Sequence, residues 1–360
     1  MTGNASSPHL TVRQLVQRHS LLAGLVGAYL LTSYLVSSNQ AASVHDEKAF
    51  GLFLSFLIDV PMMVFFVLLW RLLNLTYVHR IPNRLAILVS DVRLFLSERD
   101  RVVGGLMTVC IMAGTLVAFA QLKNLIPTLH PYSWDEYFMQ LDRTLHFGVQ
   151  PYRIAHAILG WNVTITAVSG LYNFWLFMMY FVLLGACFMR PENSFRMQFL
   201  IAFLFTWAIG GNLFATIFSS AGPAYYAQLG LGDNYSELTG ILRNHAATGA
   251  ITVVNTQDLL WQVHTAKTPI NMISAFPSMH VASSVLMAIF LSRLSRWLGI
   301  FAWLFALGIM IGSVLLAWHY AVDGYAGALI AVASWYAAGW LVRLTAGSHS
   351  GQLIPTAAQT

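Results

Sequence analysis

The chain has 360 residues, of which 57% are apolar and only 9% are charged, and its formal net charge is +5. This composition excludes an ordinary soluble domain and is typical of a protein with many membrane-spanning helices. The positive charge falls in predicted inner loops, so we expect no nucleic-acid partner. Cys110 and Cys187 lie inside apolar runs and predict neither a disulfide framework nor a metal cluster.

About eight apolar runs follow one another along the chain, most of them near the roughly 20 residues that a helix needs to cross hydrocarbon. We predict an all-α, polytopic integral membrane protein with spans at about 20–37, 49–71, 103–122, 167–189, 197–219, 277–292, 300–318 and 320–342. The first run could instead be a cleaved signal peptide that ends near Ala41-Ala42. A retained helix is favoured, because that cleavage site is weak.

The spans divide the chain into three predicted regions. Residues 1–102 hold two N-terminal spans and a cytoplasmic amphipathic segment, residues 103–342 form a six-helix core with two long outer loops, and residues 343–360 are a disordered cytoplasmic tail. Apolar residues at helical spacing between 85 and 96 favour a helix lying at the inner membrane interface. The outer loops, 123–166 and 220–276, are rich in aromatic residues and predict short helices that cover a site.

The positive-inside rule orients this arrangement. With the N-terminus in the cytoplasm, inner loops hold thirteen Lys and Arg residues and outer loops hold six. Both termini are then cytoplasmic. His280 and His319 fall at the opposite, extracytoplasmic face, which is periplasmic, extracellular or lumenal.

His319 and Asp323 stand four positions apart at the edge of the last predicted span. On a helix, side chains at this spacing share a face and can hydrogen-bond. A carboxylate that binds one imidazole nitrogen leaves the other nitrogen with a lone pair for nucleophilic attack. A buried His–Asp pair that merely joins two helices is the alternative.

Ser278 precedes an apolar run and predicts a helix N-cap, which places His280 in the first turn. The N-terminus of a helix favours a bound anion such as phosphate. His280 could then give a proton to a leaving oxygen, with the Ser278 hydroxyl on a phosphoryl oxygen. Ordinary capping beside an interfacial histidine is the alternative, but the two motifs together predict a phosphoryl-transfer site.

The segments Pro277–His280 and His319–Asp323 resemble the second and third signature motifs of the type 2 phosphatidic acid phosphatase superfamily, and Gly327 matches the last position of the third. Their form is most similar to the branch that contains inositol phosphorylceramide synthases. The segments 222–226 and 142–148 also resemble stretches of that branch. The likeness covers roughly residues 103–342.

The resemblance implies a six-helix catalytic core, no metal, no cofactor and a phosphohistidine intermediate. His319 matches the nucleophile, Asp323 the residue that orients it, and His280 the general acid. The expected activity is transfer from a lipid-linked phosphate or phospho-headgroup to a polyol or lipid-alcohol acceptor. Hydrolysis by a lipid phosphate phosphatase is the alternative. A lipid transporter or scramblase is less favoured, because paired broken helices and repeated halves are not evident.

The chain departs from the family pattern at three places. The first motif, a Lys followed by Arg-Pro, is not found, the arginine six residues before the third-motif histidine is Ser313, and the second-motif glycine is Met279. Other groups must therefore bind the phosphoryl oxygens. The sequence candidates for substrate binding, beside Ser278, are Lys267, Arg243, Tyr225, Tyr226 and Asn173.

Overall fold

The computed structural model describes residues 11–38, 46–190, 193–249, 251–266 and 273–350, and these residues form helices and connecting turns without a strand. Their α-helices are α1 (Val12–Ser38), α2 (Asp46–Leu73), α3 (Arg84–Ser97), α4 (Arg99–Leu129), α5 (Asp135–Leu145), α6 (Pro151–Leu159), α7 (Asn162–Cys187), α8 (Ser194–Phe205), α9 (Ala215–Ile217), α10 (Ser236–Ala247), α11 (Val253–Thr265), α12 (Met279–Leu294), α13 (Arg296–Leu315) and α14 (Ala321–Ser350). Two π-helices, Asn74–Val78 and Thr206–Phe214, and a 3₁₀ turn, Pro223–Tyr225, complete them.

Seven helices within the described ranges are long and apolar enough to cross a membrane, namely Arg13–Ser38, Val60–Val78, Arg99–Leu129, Asn162–Cys187, Phe195–Ile217, Arg296–Leu315 and Ala321–Thr345. The shorter apolar helix α12 corresponds to the sixth predicted run. These helices confirm an all-α, multi-pass membrane protein. Their exposed apolar side chains are what a lipid-facing surface requires.

Two compact units divide the chain. The first comprises Met1–Gln121 and Tyr180–Arg196, and so includes residues that the sequence analysis assigned to the core. Within it, the buried guanidinium of Arg196 donates hydrogen bonds to the carbonyls of Ala186 and Cys187 and to Oγ1 of Thr108. Helix α3, which covers the predicted amphipathic segment, has no buried residue.

The second unit comprises Leu122–Met179 and Met197–Thr360 and contains both histidine motifs. Helices α12, α13 and α14 pack together at its centre, and Phe199 stacks on Phe290 at 4.2 Å between ring centroids. The predicted outer loops form the short helices α5, α6, α10 and α11, as expected. Helix α14 continues to Ser350, past the predicted end at 342, while residues 351–360 of the predicted tail lie outside the described residues.

Candidate active site

The motif that contains His280 begins helix α12. Ser278 is its N-cap, and Oγ of Ser278 accepts a hydrogen bond from the backbone N–H of Val281 at 3.4 Å. The backbone N–H of Ser278 donates to the backbone carbonyl of Asp323 at 2.9 Å. This bond joins the start of α12 to the first turn of α14, so the two motifs are fixed relative to each other.

His280 lies against two aromatic side chains of α7. Its ring centroid is 4.5 Å from that of Tyr172 and 4.1 Å from that of Trp175. Trp175 is held in turn, because its Nε1–H donates to Oγ of Ser283 at 2.9 Å. Asn173, the sequence candidate on this helix, is exposed. The phase of α7 turns Tyr172 and Trp175 toward His280 instead.

His319 lies in the short loop between α13 and α14 rather than on a helical turn shared with Asp323, because α14 begins only at Ala321. The backbone carbonyl of Ser313 accepts hydrogen bonds from the N–H groups of Trp318 and His319, both at 3.0 Å. Ser313 stands where the family has an arginine, and it fixes the loop through its main chain.

The imidazole of His319 is oriented chiefly by a backbone carbonyl. Nδ1 is 2.8 Å from the carbonyl oxygen of Ala275 and 3.5 Å from Oδ2 of Asp323. Both partners are acceptors, so Nδ1 carries the proton and Nε2 keeps its lone pair. Nε2 lies 3.5 Å from Nδ1 of His280. The unprotonated Nε2 of His319 therefore faces a ring nitrogen of His280 across a short distance.

Burial lowers the pKa of His319 to about 3, against the opposing effect of its hydrogen bond to Ala275, and the charge of Lys123 adds to the lowering. His319 is only 6% exposed. A neutral imidazole is the nucleophilic form, so this environment keeps the nitrogen ready for attack.

Asp323 is fully buried in the first turn of α14. Its Oδ2 accepts a hydrogen bond from the backbone N–H of Tyr320 at 2.9 Å, an arrangement like the return bond of a capping box. The other oxygen, Oδ1, has no hydrogen-bond partner among the described residues. The carboxylate thus fixes the backbone beside His319. Its Oδ2 lies farther from Nδ1 of His319 than the carbonyl oxygen of Ala275 does, so it is the weaker acceptor for the ring.

Helix α5 contributes two buried carboxylates that the sequence analysis did not select. The carboxylate of Asp135 accepts hydrogen bonds from Oγ of Ser220 at 2.9 Å and from the backbone N–H groups of Ala221 and Gly222 at 2.9 and 2.7 Å. It also accepts one from the Tyr320 hydroxyl at 2.9 Å. Asp135 therefore ties the segment before Pro223 to the residue that follows His319.

Asp142 caps helix α14. Its carboxylate accepts hydrogen bonds from the backbone N–H groups of Ala321 at 2.8 Å and Val322 at 2.9 Å. Two of the four unpaired N–H groups at a helix start are satisfied in this way. Burial raises the pKa of Asp142 to about 7, although these two hydrogen bonds act in the opposite direction.

The segment around Gly222 packs against the His319 loop. Gly222 has a φ of +98°, and a Cβ at this position would lie 2.8 Å from the carbonyl oxygen of Trp318, so a side chain is excluded. The backbone N–H of Ala224 donates to the carbonyl of Ala317 at 3.0 Å. The resemblance noted for residues 222–226 thus corresponds to a backbone contact with the loop.

Tyr225 and Tyr226 contact the α10–α11 region. The hydroxyl of Tyr225 donates to the carbonyl of Gln257 on α11 at 3.2 Å, and the ring of Tyr226 lies 5.3 Å from that of Tyr235, the residue before α10. Both tyrosines are buried.

The sequence analysis predicted two cationic residues for substrate binding, Arg243 and Lys267. Arg243 on α10 pairs with Asp258 on α11 at 3.0 Å and is more than half exposed. Lys267 lies outside the described residues.

Lys123 is one of the six Lys and Arg residues that the sequence analysis counted in the outer loops, and it was not selected for the site. It lies in α4, is half-buried, and acts electrostatically on both His280 and His319. His130-Pro131 follows it in the sequence.

The fold and site define a multi-pass helical membrane protein whose two histidines and one carboxylate meet at the ends of packed helices. A family model described as the PAP2 superfamily matches residues 136–337, and the chain belongs to this superfamily. The resemblance to type 2 phosphatidic acid phosphatases is confirmed at that level. Comparison with curated proteins and with solved structures found no match.

Proposed function

We propose that the protein is a membrane-embedded phosphotransferase that acts on a lipid-linked phosphate or phospho-headgroup through a phosphohistidine at His319. The observation that carries the proposal is the 3.5 Å approach of Nε2 of His319 to Nδ1 of His280. Superfamily members are generally phosphatases or phosphotransferases, which supports an enzyme of this kind.

The first half of the reaction forms the phosphohistidine. The lone pair of Nε2 of His319 attacks phosphorus, a P–N bond forms, and the P–O bond to the leaving alcohol breaks. His280 enters this step as an imidazolium, gives its Nδ1 proton to that oxygen and is left as a neutral imidazole, so the alcohol departs neutral. The hydrogen bond from Nδ1 of His319 to Ala275 stabilises the positive charge that develops on the ring.

The second half releases the phosphoryl group. The hydroxyl of an acceptor attacks phosphorus, the P–N bond breaks, and His280 takes back the hydroxyl proton. A polyol or a lipid alcohol as acceptor gives a new phosphodiester or phosphomonoester. Water as acceptor gives hydrolysis, the phosphatase alternative.

The charge that develops on the phosphoryl oxygens needs cations and hydrogen-bond donors. We assign this role to Lys123, whose charge reaches both histidines, and to the N-terminus of α12. Ser278 still has its hydroxyl proton to donate while its Oγ accepts from Val281. The buried hydroxyl of Tyr172 has no hydrogen-bond partner among the described residues and stands beside His280.

Transfer is favoured over hydrolysis because the nucleophile is so well enclosed. His319 is 6% exposed, and the segment 220–224 packs over its loop. A covered site protects a reactive phosphohistidine from water. The motif forms resembling inositol phosphorylceramide synthases favour the same choice, with a polyol such as inositol among the acceptors.

We further propose that the site opens on the extracytoplasmic side and that both termini are cytoplasmic. The distribution of Lys and Arg, thirteen on the inner side against six on the outer, supports this orientation. The lipid donor would then lie in the outer leaflet.

Mass spectrometry of lipids tests the function directly. Purified protein is incubated with phosphatidic acid or phosphatidylinositol in mixed micelles, with and without inositol or glycerol. We expect a new phosphoester of the acceptor that is lost in His319→Ala and kept in a matched control, His245→Ala. Free phosphate alone would favour the phosphatase. Lipids that move between leaflets of proteoliposomes with their phosphoesters intact would favour the transporter.

A further inference from the structure

We propose that helix α5 is the positioning element of the active site. The face formed by Asp135, Phe138 and Asp142 holds the His319 loop and the segment that precedes α12 at reacting distance. The inference rests on the proposed function for its kinetic consequence, while the positioning itself can be measured without any substrate.

The three residues stand at spacings of three and four, so they lie on one face of α5. With Met139, they are the buried residues of this helix. Glu136, Tyr137 and Gln140 on its other side are exposed. The helix therefore has a carboxylate near each end of its buried face and an aromatic ring between them.

Asp142, near the C-terminal end of this face, binds the start of α14. It accepts from the N–H groups of Ala321 and Val322, the two residues that directly follow Tyr320. At the C-terminal end of α5, Nε2 of His146 forms a hydrogen bond of 2.9 Å with the hydroxyl of Tyr325 on α14. These contacts fix the first turns of the helix whose preceding loop presents His319.

Asp135, at the N-terminal end of the face, binds the same loop from a second direction through the hydroxyl of Tyr320. Tyr320 is 1% exposed and directly follows His319. The Tyr320 hydroxyl thus bonds to one carboxylate of α5, and the backbone N–H groups of the next two residues, Ala321 and Val322, bond to the other. The His319 backbone has little freedom to shift while these three bonds are present.

Phe138 connects this loop to the other motif. Its ring stacks on Phe276 at 4.6 Å and 13°, and its centroid is 6.2 Å from that of Tyr320. Phe276 precedes Pro277 and the N-cap of α12, whereas Tyr320 directly follows His319. The Phe138 ring therefore contacts a residue next to each of the two histidine motifs.

The choice of carboxylates suits positioning better than simple packing. Buried carboxylates are costly unless their hydrogen bonds are made, and an apolar face would cover α14 at lower cost. Hydrogen bonds are directional, so each carboxylate specifies where its partners must lie. Asp135 and Asp142 are positioning residues, because they bind the residues that follow His319 and not the reacting atoms.

The kinetic test uses Asp142→Asn and Asp135→Asn, with Glu136→Gln as a control that removes the same charge from the exposed side of α5. We expect each aspartate variant to lower kcat by about 100-fold, because a misplacement of about 1 Å at a nucleophile has that cost. KM should change by no more than about twofold, since ground-state binding is retained. The control should keep the wild-type kcat.

A second measurement needs no substrate. Diethyl pyrocarbonate acylates accessible neutral imidazoles, and peptide mass spectrometry gives the rate at His319. We expect faster acylation in both aspartate variants than in wild-type protein or Glu136→Gln, at a temperature where thermal scans show all four proteins folded. An unchanged acylation rate and unchanged kcat would overturn the positioning role. A wild-type protein without transferase or phosphatase activity would overturn the proposed function instead, while the acylation rates would still decide the role of α5.

Discussion

The Nε2 atom of His319 lies 3.5 Å from Nδ1 of His280, although 39 positions separate the two residues in the chain. Two loops bring the rings together, one ending in the N-cap of α12 and one joining α13 to α14. The hydrogen bond from Ser278 to the Asp323 carbonyl connects these loops directly. The packing of the helices therefore determines the positions of the two rings, and their chemistry can be tested one residue at a time.

His280→Ala should lower turnover by about 10²- to 10⁴-fold, the usual contribution of a general acid. The loss should depend on the leaving group. A nitrophenyl phosphate releases an oxygen that needs little protonation, so its hydrolysis should fall much less than that of a lipid phosphate. Steady-state rates with both substrates measure the difference. Equal losses for the two would show that His280 does not donate the proton.

Lys123→Met should lower kcat/KM by about 10²- to 10³-fold, because a preorganised cation near the phosphoryl oxygens is lost. Arg243→Ala is the matched comparison. Its guanidinium pairs with Asp258 and is more than half exposed, so its loss should change kcat/KM little. Parallel kinetics decide between the two cations, and a larger effect from Arg243 would restore the original sequence candidate.

Tyr172→Phe should raise KM by about tenfold if its hydroxyl binds a phosphoryl oxygen, a change near 1.4 kcal/mol. The melting temperature should stay constant or rise, because a buried hydroxyl without a partner costs stability. Asn173→Ala, which changes the exposed neighbour on α7, should alter neither quantity. A melting temperature that falls with unchanged KM would assign Tyr172 a packing role only.

The pH dependence should reflect the lowered pKa of His319. Its folded pKa of about 3 lies below the ordinary 6.5, so the folded state binds fewer protons between these values. The stability contribution is complete above pH 6.5 and is lost as the pH falls toward 3. Melting temperatures of wild type and His319→Gln are measured from pH 7 to pH 4. The melting temperature of the wild type should fall more steeply on acidification than that of the variant. Parallel curves would contradict the lowered pKa.

Sequence patterns predicted the fold because apolar length and helix caps are local properties. The spans followed from runs of apolar residues, and the α12 cap followed from Ser278 before such a run. Helix ends were less accurate. Helix α4 continues to Leu129, well past the predicted 122, and carries Lys123 with it. A lysine assigned to an outer loop is thereby placed on a helix near the histidines.

The site was only partly predictable, since several of its groups have no sequence signal. The acceptor nearest to His319 is the backbone carbonyl of Ala275, which any residue could supply. Asp135 and Asp142 stood in a segment read as a loop, and their partners are backbone amides far along the chain. Asn173 was chosen by its chemistry, whereas the phase of α7 selects Tyr172 and Trp175.

The most direct test of the account is to trap the covalent intermediate. The protein is mixed with phosphatidic acid or phosphatidylinositol for a short time, quenched in alkaline denaturant, which preserves phosphohistidine, and digested for peptide mass spectrometry. The account predicts a phosphoryl or phospho-headgroup adduct on His319 that accumulates more when the acceptor is withheld and is lost in His319→Ala. An adduct on another residue, or turnover of the lipid with no adduct on His319, would contradict it.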